Sequence, residues 1–403
     1  MSNHKLTIGL FGFGIVGKGF YDIFKQREQG LDASIKKICV KDKNKKRILE
    51  ESFFTVDKNE LLNDADINLI VELINNVDEA YLIVKQALLN GKNVVTGNKK
   101  MLALHLEELI GLQKKTGASL LYEAAVCGSI PIIRTLEEYY KNELFYAVSG
   151  IFNGTSNYIL SKIFNENLNY TQALKQAQEL GFAESDPTSD VAGFDAMFKL
   201  IIIVSHAYGL IIKPEKILNF GIDTLEKTDV TYAKQRGYKL KLIPTVKRVQ
   251  NELISLFVMP CFIKPDNFLF NVENEFNGVL VDVEFADSQF FYGKGAGGYP
   301  TGVAVLSDIS AIAYNYCYEY KKINSTNQTK YTTTVTLKVY LRYNSEHLLK
   351  ILNFIDFEEK FETKESRYVV GYLLLADIID NKNHILNDKA FIALIGDEIK
   401  LAN

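Results

Sequence analysis

Two side chains of opposite charge lie one helical turn apart in an apolar stretch of the sequence. Asp195 and Lys199 are at positions i and i+4, so a helix would place them on one face. Residues 192–204 are nearly all apolar around them, which is typical of a buried helix. A surface ion pair would contribute only about 0.2–0.5 kcal/mol. A buried pair is expensive, and a buried Lys is suited to proton transfer, so we interpret the pair as catalytic.

Further carboxylates precede this pair in the stretch G-F-A-E-S-D-P-T-S-D-V-A-G-F-D-A-M-F-K at 181–199. The stretch offers Glu184, Asp186 and Asp190. Its Asp-Pro step breaks the chain before a helix, and Ser189 or Asp190 is expected to cap that helix. The pattern therefore predicts a loop of carboxylates that leads into the helix of the ion pair.

A glycine motif near residue 12 has the form that binds dinucleotides. G-F-G-I-V-G at 12–17 follows a predicted strand at 5–11 and opens a predicted helix. In this form the first glycine permits a tight turn, the second admits a pyrophosphate, and the third lets the helix pack on the strand. The strand–helix context favours this interpretation over a merely glycine-rich turn. The expected cofactor contacts are Gly12, Phe13, Gly14, Ile15, Val16 and Gly17.

The loop after the second predicted strand, residues 35–41, bears on the choice of cofactor. Asp42 would bind a ribose 2′-hydroxyl and favour NAD. The neighbouring cations would hold a 2′-phosphate and favour NADP; they are Lys41, Lys43, Lys45, Lys46 and Arg47. A solvated basic loop without a ligand is the alternative. Because the cations outnumber the acid, we expect NADPH, with NADH as the second choice.

A polar turn follows the predicted strand at 92–96. The sequence V-V-T-G-N-K-K at 94–100 places Thr96, Asn98 and Lys99 at the end of this strand. Ligands of doubly wound sheets bind at the carboxyl ends of the strands. We therefore expect Thr96 to contact the cofactor and Lys99 to face the substrate or the nicotinamide; an exposed Lys before a helix is the alternative.

Three more turns fit a ligand site. G-I-F-N-G-T-S-N-Y at 150–158 starts a helix, where Thr155 would bind a carboxylate or phosphate unless it is an ordinary cap. Y-E-A-A-V-C-G-S-I-P at 122–131 carries Glu123, which is either a hinge residue or a ligand of a monovalent cation. G-K-G-A-G-G-Y-P-T-G at 293–302 precedes a helix and is expected to close over the cofactor.

Strands and helices alternate over the first part of the chain. This alternation predicts an α/β fold with a Rossmann-type, doubly wound parallel sheet. The remaining predicted strands are 67–73, 92–96 and 119–123, and the predicted helices are 16–24, 78–90 and 102–115.

The pattern changes near residue 131 and again after a polar linker at 322–330. The middle part predicts helices at 131–142, 155–180, 190–208 and 303–318, a strand at 145–152 and strand-like sequence over 240–292. The last part predicts a strand at 333–343, a helix at 345–353 and two or three further strands, a small βαββ-type α+β module. We expect a dinucleotide-binding domain at 1–130 completed by about 300–320, an α+β domain at 131–300, and the module at 330–403.

The composition is that of an ordinary folded protein. The chain has 403 residues, 47% hydrophobic residues and a formal net charge of −3, which predicts two or three domains and argues against a nucleic-acid binder. No apolar stretch reaches the roughly 20 residues of a membrane helix. The four cysteines are scattered, which favours a reducing, cytoplasmic location. Among the histidines, His206 is interpreted as a satisfied core residue rather than a ligand.

Taken together and in this order, the motifs at 12–17, 96–100, 122–131, 150–158, 181–199 and 293–302 closely resemble homoserine dehydrogenase. The resemblance covers residues 6–318, and the 181–199 block is its most specific part. Gly97 departs from the family, which usually has Ala or Pro there. The resemblance implies reduction of L-aspartate 4-semialdehyde to L-homoserine with NAD(P)H, on the branch that leads to threonine, methionine and isoleucine.

The resemblance also implies roles for individual residues. Lys199 would be the catalytic residue and Asp195 its partner. Glu184 would bind the substrate amino group with Asp190 beside it, and Lys99 would lie at the junction of nicotinamide and substrate.

The family also binds a sodium-like ion and forms dimers. The cofactor would contact Gly297 of the later loop, and the ion would be held by Glu123 and the backbone of Val126, Gly128 and Ile130. The dimer would form through the sheet of the middle domain, at 145–152 and 240–292, as a homodimer or a dimer of dimers.

The tail at 330–403 resembles an ACT-type regulatory domain in its strand–helix order. Its first loop, Y-N-S-E-H at 343–347, lacks the family's Asp-x-Pro-Gly, so amino-acid binding and a purely dimerising role both stay open. No aspartate kinase segment precedes the glycine motif, so we expect a monofunctional enzyme.

Two other classes of protein remain as alternatives. Another two-domain NAD(P) reductase, such as aspartate dehydrogenase, would lack the 181–199 block. A non-catalytic sensor would be expected to lose Lys199 or Asp195, and both are present.

Overall fold

The computed structural model describes residues 5–27, 30–140, 144–325, 328–364 and 366–402, without the side chain of Glu398. It divides into two compact units. The first unit comprises residues 1–141, 201–207 and 293–324, and the second comprises 142–200, 208–292 and 325–403.

The strands are numbered in chain order. They are β1 Leu6–Phe11, β2 Ala33–Cys39, β3 Phe54–Thr55, β4 Leu69–Glu72, β5 Asn93–Thr96, β6 Leu120–Leu121, β7 Phe145–Ile151, β8 Leu218–Asn219, β9 Lys239–Gln250, β10 Leu253–Ile263, β11 Phe276–Val283, β12 Asp287–Lys294, β13 Lys330–Tyr331, β14 Val335–Arg342, β15 Asp356–Glu362, β16 Arg367–Leu374 and β17 Phe391–Leu401.

The α-helices are numbered in the same way. They are α1 Ile15–Gln26, α2 Asn59–Leu62, α3 Val77–Leu89, α4 Lys99–Thr116, α5 Ile132–Arg134, α6 Gly154–Glu166, α7 Tyr170–Glu179, α8 Thr188–Val191, α9 Phe194–Tyr208, α10 Lys227–Gln235, α11 Gly298–Ala313, α12 Glu346–Ile351, α13 Leu375–Asp380 and α14 Lys382–Asn387. A π-helical turn, Thr135–Tyr139, continues α5.

The first unit is built on a six-stranded sheet in the order β3-β2-β1-β4-β5-β6, and its strand pairs are parallel. This is the strand order of a dinucleotide-binding α/β fold, in which the order reverses beside β1 and opens a crevice at the carboxyl ends. The central strands β1 and β4 are short and mostly apolar because helices cover both faces of such sheets. The predicted parallel, doubly wound sheet is confirmed.

Helix α11 returns to the first unit from much later in the chain. It packs against α1, where Gly19, Gly298 and Gly302 let the two backbones approach closely. A Cβ atom at Gly19 would overlap the backbone of Gly298. The glycine-rich turn at 293–302 therefore contributes the start of a helix that lies on the dinucleotide-binding sheet.

The second unit is built on a mixed, 11-stranded sheet. Its order is β12-β11-β7-β9-β10-β17-β14-β16-β15, and β8 and β13 also pair with β10. Antiparallel pairs predominate, whereas β10 and β17 run parallel from Cys261 to Phe262. One apolar cluster, which includes Met259, Leu337 and Leu373, covers a face of this sheet from β10 to β16.

Residues 335–401 fold as β14-α12-β15-β16-α13-α14-β17. Their four strands stand in the antiparallel order β17-β14-β16-β15, which is the split β-α-β arrangement of ferredoxin-like modules. The predicted βαββ pattern was therefore incomplete, because two short helices precede a last strand. Residues 326 and 327 of the predicted linker lie outside the described part of the chain.

Several predicted helix boundaries were wrong. The predicted helix at 155–180 is two helices, α6 and α7, because Asn167 takes a left-handed conformation and Asn169 starts a new capping box. The predicted helix at 303–318 begins earlier, at Gly298, and ends at Ala313. Residues 141 and 142 of the predicted helix 131–142 fall outside the described residues. Over the part of the chain that the structure describes, no helix combines the length and apolarity needed to cross a membrane.

Candidate active site

Helix α9 carries the ion pair that the sequence singled out. Asp195 Oδ2 and Lys199 Nζ are 2.7 Å apart, one turn apart on the helix. The residues are only 3% and 6% exposed, respectively. The predicted buried i, i+4 pair is confirmed, and the alternative of a surface ion pair is wrong.

The Lys199 ammonium group is held from two sides. It donates to the carbonyl oxygen of Phe152 at 2.6 Å as well as to Asp195. Phe152 directly follows strand β7, so the end of this strand and the first turn of α9 together fix the nitrogen. An ammonium group has three protons, and two of them are used in this way. Among the residues that the structure describes, no other acceptor takes the third proton, which can be donated to a further acceptor.

Asn153, the residue after Phe152, connects two acidic residues of the second unit, Asp190 and Asp195. Its amide nitrogen donates to Asp190 Oδ1 at 2.7 Å and to Asp195 Oδ2 at 2.8 Å. Its amide oxygen accepts the N–H of Ser156 and caps α6. The sequence reasoning did not single out Asn153, although an Asn before a Gly-Thr helix start signals a cap.

Neither Ser189 nor Asp190 caps the helix of the ion pair, so that prediction was wrong. Both residues lie inside the short helix α8, and α9 begins after Gly193 without a side-chain cap. Gly193 has φ +83°, a left-handed conformation that separates the two helices. This bend leaves the Asp190 carboxylate on the side of Asn153.

The other predicted substrate residues lie on the same unit. Thr155 is buried in α6, and its hydroxyl donates to the carbonyl oxygen of Phe182 at 2.6 Å. It therefore ties the turn before Glu184 to α6. Glu184 is exposed, and its backbone carbonyl accepts from Gln178. Substrate contact by Thr155 and Glu184 stays a prediction.

The glycine motif of the first unit forms an open cradle. Gly12 has φ +92°, and a Cβ atom there would contact the carbonyl of Leu73. A Cβ atom at Gly17 would overlap the carbonyl oxygen of Gly12. At Gly14, by contrast, no atom lies within 4 Å of where a Cβ would be. The N-terminus of α1 begins after Gly14 without a side-chain cap, so the residues present fit a pyrophosphate.

The basic loop after β2 lies beside this cradle. Arg47 donates to the carbonyls of Asp42 and Lys45, and its guanidinium group lies over the ring of Phe54. The ring of Phe54 in turn contacts Phe13 of the glycine motif. The loop is therefore ordered next to the cradle, with Lys41 and Asp42 exposed on it.

The turn after β5 is fixed by a carboxylate that the sequence reasoning missed. Glu72, fully buried at the end of β4, accepts from the hydroxyl of Thr96 and the N–H of Ile74. Thr96 in turn accepts the N–H of Asn98. Burial raises the pKa of Glu72 to about 7. The sequence feature that could have indicated Glu72 is its position as an acidic residue at the end of the apolar strand β4.

Lys99 is the first residue of α4, half-buried, after the cap residue Asn98. Asn98 also donates to the carbonyl of Ile74. The loops after β4 and β5 are therefore tied together at the carboxyl end of the sheet, where a doubly wound fold binds its ligand.

Gly297 lies at the start of α11 with φ +117° and no side-chain cap. A Cβ atom on the next residue, Gly298, would contact the carbonyl oxygen of Ile15. The later glycine loop and the first one are therefore neighbours within this unit.

Glu123 is buried and already bound on both oxygens. It accepts the N–H groups of Ile133 and Arg134 at 2.7 and 2.9 Å. The carbonyl of Ile130 accepts from Ile132. No group of three or more His, Cys, Asp or Glu side chains suited to a metal ion occurs among the described residues. Carboxylate and carbonyl oxygens are ligands for hard cations, so the predicted set fits an oxygen-bound ion chemically.

His206 is a satisfied core residue, as the sequence predicted. Its Nδ1 atom lies 2.8 Å from Glu137, and its Nε2 atom lies 2.8 Å from the Tyr122 hydroxyl. All three residues are buried.

The first unit has a Rossmann-like parallel sheet with an open glycine cradle, and the mixed-sheet unit carries a buried Lys–Asp pair. Together in one chain, these features define an NAD(P)-dependent oxidoreductase. The model of the homoserine dehydrogenase NAD-binding domain matches residues 12–123, and the homoserine dehydrogenase model matches residues 131–310. The chain belongs to the homoserine dehydrogenase family. It acts on a CH–OH group, in the aspartate pathway of amino-acid biosynthesis.

Named relatives agree with this assignment. Homoserine dehydrogenase of Lactococcus lactis is 38% identical over 317 residues, 76% of this chain and 74% of that protein. That of Bacillus subtilis is 36% identical over 318 residues, 77% and 73% of the two chains. A crystal structure of homoserine dehydrogenase from Thiobacillus denitrificans matches with a TM-score of 0.85 and 29% identity, over 98% of this chain and 99% of that chain. A hyperthermophilic archaeal homoserine dehydrogenase in complex with NADPH matches with a TM-score of 0.67 and 26% identity, over 78% and 99%.

Proposed function

We propose that the Asp195–Lys199 pair carries the acid–base step in the interconversion of L-aspartate 4-semialdehyde and L-homoserine. The observation that supports it most is the ammonium group of Lys199, held by Phe152 and Asp195 with one proton left over. A bound nicotinamide supplies the hydride. When the aldehyde carbon receives it, negative charge develops on the aldehyde oxygen.

Lys199 stabilises that charge and donates the proton. Asp195 pairs with the ammonium group and aims it. In the oxidation of homoserine the step runs in reverse, and the neutral amine that remains after this donation accepts the hydroxyl proton. Lys99 assists at the junction of nicotinamide and substrate.

Carboxylates of the same unit bind the amino group of the substrate in this proposal. Glu184 is the direct ligand, since its exposed carboxylate provides an opposite charge for an ammonium group. Asp190 lies beside it, and Thr155 contributes from the start of α6.

NADPH is the proposed cofactor, with NADH as the alternative. The archaeal relative was solved in complex with NADPH, and the ordered basic loop with Lys41 supports a 2′-phosphate. The proposed contacts are Gly12, Phe13, Gly14, Ile15, Val16, Gly17, Lys41, Thr96, Lys99 and Gly297. A higher kcat/KM with NADH than with NADPH would reverse this choice.

We also propose a sodium-like ion bound by Glu123 and the carbonyls of Val126, Gly128 and Ile130. Their oxygen chemistry supports such an ion. A Tm that rises with sodium chloride but not with choline chloride, and no longer rises in Glu123→Gln, is the expected result. Equal effects of the two salts would argue against it.

The proposed organisation is a cytoplasmic homodimer or dimer of dimers. Residues 1–130, completed by about 300–320, bind the dinucleotide, and 131–300 bind the substrate and dimerise. Residues 330–403 form an ACT-like module, which their β-α-β-β-α-β order supports. Isothermal titration with threonine separates a regulatory module, which releases heat, from a purely structural one, which does not.

The Lys199→Ala variant tests the proposed acid–base role. We expect kcat for homoserine oxidation to fall by at least about 10²-fold with KM nearly unchanged, as loss of a general acid–base implies. Lys175→Ala is the matched control, because Lys175 forms an exposed i, i+4 pair with Glu179; its kcat should equal that of the wild type. Near-normal turnover of Lys199→Ala would remove Lys199 from the role.

A further inference from the structure

We infer that Asn153 is a positioning residue of this active site, which holds Asp190 and Asp195 in one arrangement. Its amide group binds both Asp190, which is proposed to lie beside the substrate, and Asp195, which orients Lys199. The inference rests on the proposed function, because it assumes that Asp195 and Lys199 carry the acid–base step.

The orientation of the Asn153 amide is fixed by its surroundings. Its oxygen faces the N–H of Ser156 at 2.8 Å. Its nitrogen is therefore on the side of Asp190 and Asp195. A flipped amide would place its oxygen against two carboxylates and its nitrogen against an N–H, so the network permits only one assignment.

Three helices meet at this side chain. Asn153 follows β7 and caps α6, while Asp190 is on α8 and Asp195 on α9. The residue itself is 6% exposed. Because Phe152 binds Lys199 through its carbonyl, two consecutive residues hold both members of the ion pair. A displacement of either residue would move the ammonium group.

The amide of Asn153 also stabilises the negative charges of Asp190 and Asp195. Two carboxylates that lie within hydrogen-bond distance of the same nitrogen are close neighbours and repel each other. Two such acids tend to share a proton unless donors stabilise both charges. Asn153 gives one proton to each acid without adding a charge of its own. A proton held by Asp195 would deprive Lys199 of its ionic partner. By donating to Asp195, the amide of Asn153 therefore preserves the Asp195–Lys199 ion pair that the proposed proton transfer requires.

The Asn153→Ser variant removes the amide protons and keeps a residue that caps helices well. We expect kcat to fall by roughly 10-fold or more, because misplacement of a catalytic group is costly. The KM for homoserine should rise, since Asp190 is released, and the dissociation constant of NADPH should stay unchanged. The pH dependence of kcat should shift as well, because the charge of Asp195 is no longer fixed.

The Asn153→Asp variant adds a third carboxylate at the same place and size, and it also keeps a capping side chain. It should lose more activity than Asn153→Ser and recover part of it as the pH falls, because protonation of the new carboxyl removes repulsion and restores a donor. If Asn153→Ser does not fold, this pH-dependent recovery alone decides the question, and an activity independent of pH would overturn the inference.

Asn169 provides the matched controls. It caps α7 by accepting the N–H of Gln172, and it is exposed. Asn169→Ser and Asn169→Asp should keep the kcat, KM and pH profile of the wild type. Wild-type kinetics in Asn153→Ser, next to an inactive Lys199→Ala, would overturn this inference alone. An active Lys199→Ala would instead overturn the proposed function.

Discussion

At the scale of single residues, burial determines which polar groups can do chemistry here. Asp195 and Lys199 are almost fully buried, and each is bound by further polar atoms. Removing one partner of such a pair leaves an uncompensated buried charge, which costs about 3–5 kcal/mol. The sequence predicted the pair because its spacing and apolar setting are local. It did not predict Asn153, because the contacts of that side chain reach residues 37 and 42 positions away.

Glu72 leads to a prediction about pH. Burial raises its pKa from 4.5 to about 7, although Thr96 and the Ile74 N–H lower it in part. The folded state therefore holds the proton more tightly than the unfolded state. Between pH 4.5 and about pH 7, folding is therefore accompanied by uptake of a proton by Glu72. The free-energy cost of burying Glu72 grows as the pH rises through this range, and it reaches about 3 kcal/mol above pH 7.

The Glu72→Gln variant removes this cost. We expect the free energy of unfolding of the variant, relative to that of the wild type, to rise by about 2.5 kcal/mol from about pH 5 to about pH 8. Urea denaturation of both proteins at the two pH values measures it. A difference that is the same at both values would show that Glu72 titrates as an ordinary exposed acid.

At the scale of elements, the glycine cradle was predictable because its constraints lie within a few residues. Gly12 and Gly17 are required by the backbone itself, through a positive φ and a close carbonyl. Gly14 has open space around it and an ordinary φ of −83°. The fold therefore tolerates a side chain at Gly14, whereas the pyrophosphate of the proposed cofactor would not.

The Gly14→Ala variant tests this distinction. It should keep the Tm of the wild type and raise the dissociation constant of NADPH by about 10-fold or more, because one hydrogen bond to a charged group contributes about 1.5–3 kcal/mol. Gly111, which is exposed in α4 with open space around it, is the control. Gly111→Ala should leave NADPH binding unchanged and stabilise the fold by about 0.5–1 kcal/mol. Normal NADPH binding by Gly14→Ala would place the pyrophosphate elsewhere.

Helix boundaries were less predictable than the cradle. Apolar periodicity runs through 155–180 without a strong break, so the left-handed turn at Asn167 was not evident. Gly193 looks like an ordinary helix residue in a small-residue run, yet its positive φ ends α8 and starts α9. In both places a single backbone conformation, rather than hydrophobic pattern, decides where the helix ends.

At the scale of the whole molecule, residues 335–401 share one sheet with strands β7 and β9–β12 of the second unit. The pairing of β10 with β17 joins positions 133 residues apart, Cys261 with Leu394. Alternation in sequence predicted these strands, but no local pattern reveals such a register. The tail is therefore an integral part of this sheet.

A buried ion pair reinforces this connection. Arg342 of β14 contacts both oxygens of Asp229 on α10 at 3.0 and 3.1 Å, and Tyr340 donates to the same carboxylate. Burial raises the pKa of Asp229 to about 6. Nearby, Arg236 pairs with Glu359, but this pair is about one-third exposed.

The Arg342→Met variant should destabilise the second unit by about 3–5 kcal/mol, because it leaves Asp229 buried and unpaired. Arg236→Met, the exposed counterpart, should cost about 1 kcal/mol or less. Thermal unfolding of both variants measures the difference. Equal losses would mean that the buried pair contributes no more than a surface one.

In the proposed mechanism, Lys199 transfers the proton that accompanies hydride transfer. The most direct test of this role is a single-turnover measurement with enzyme in excess over the oxidised cofactor and with saturating homoserine, in which nicotinamide absorbance reports the hydride-transfer rate of wild type and Lys199→Ala. We predict a rate at least about 10²-fold lower in the variant, with an unchanged dissociation constant for NADPH. Equal single-turnover rates in the two proteins would show that Lys199 does not transfer this proton.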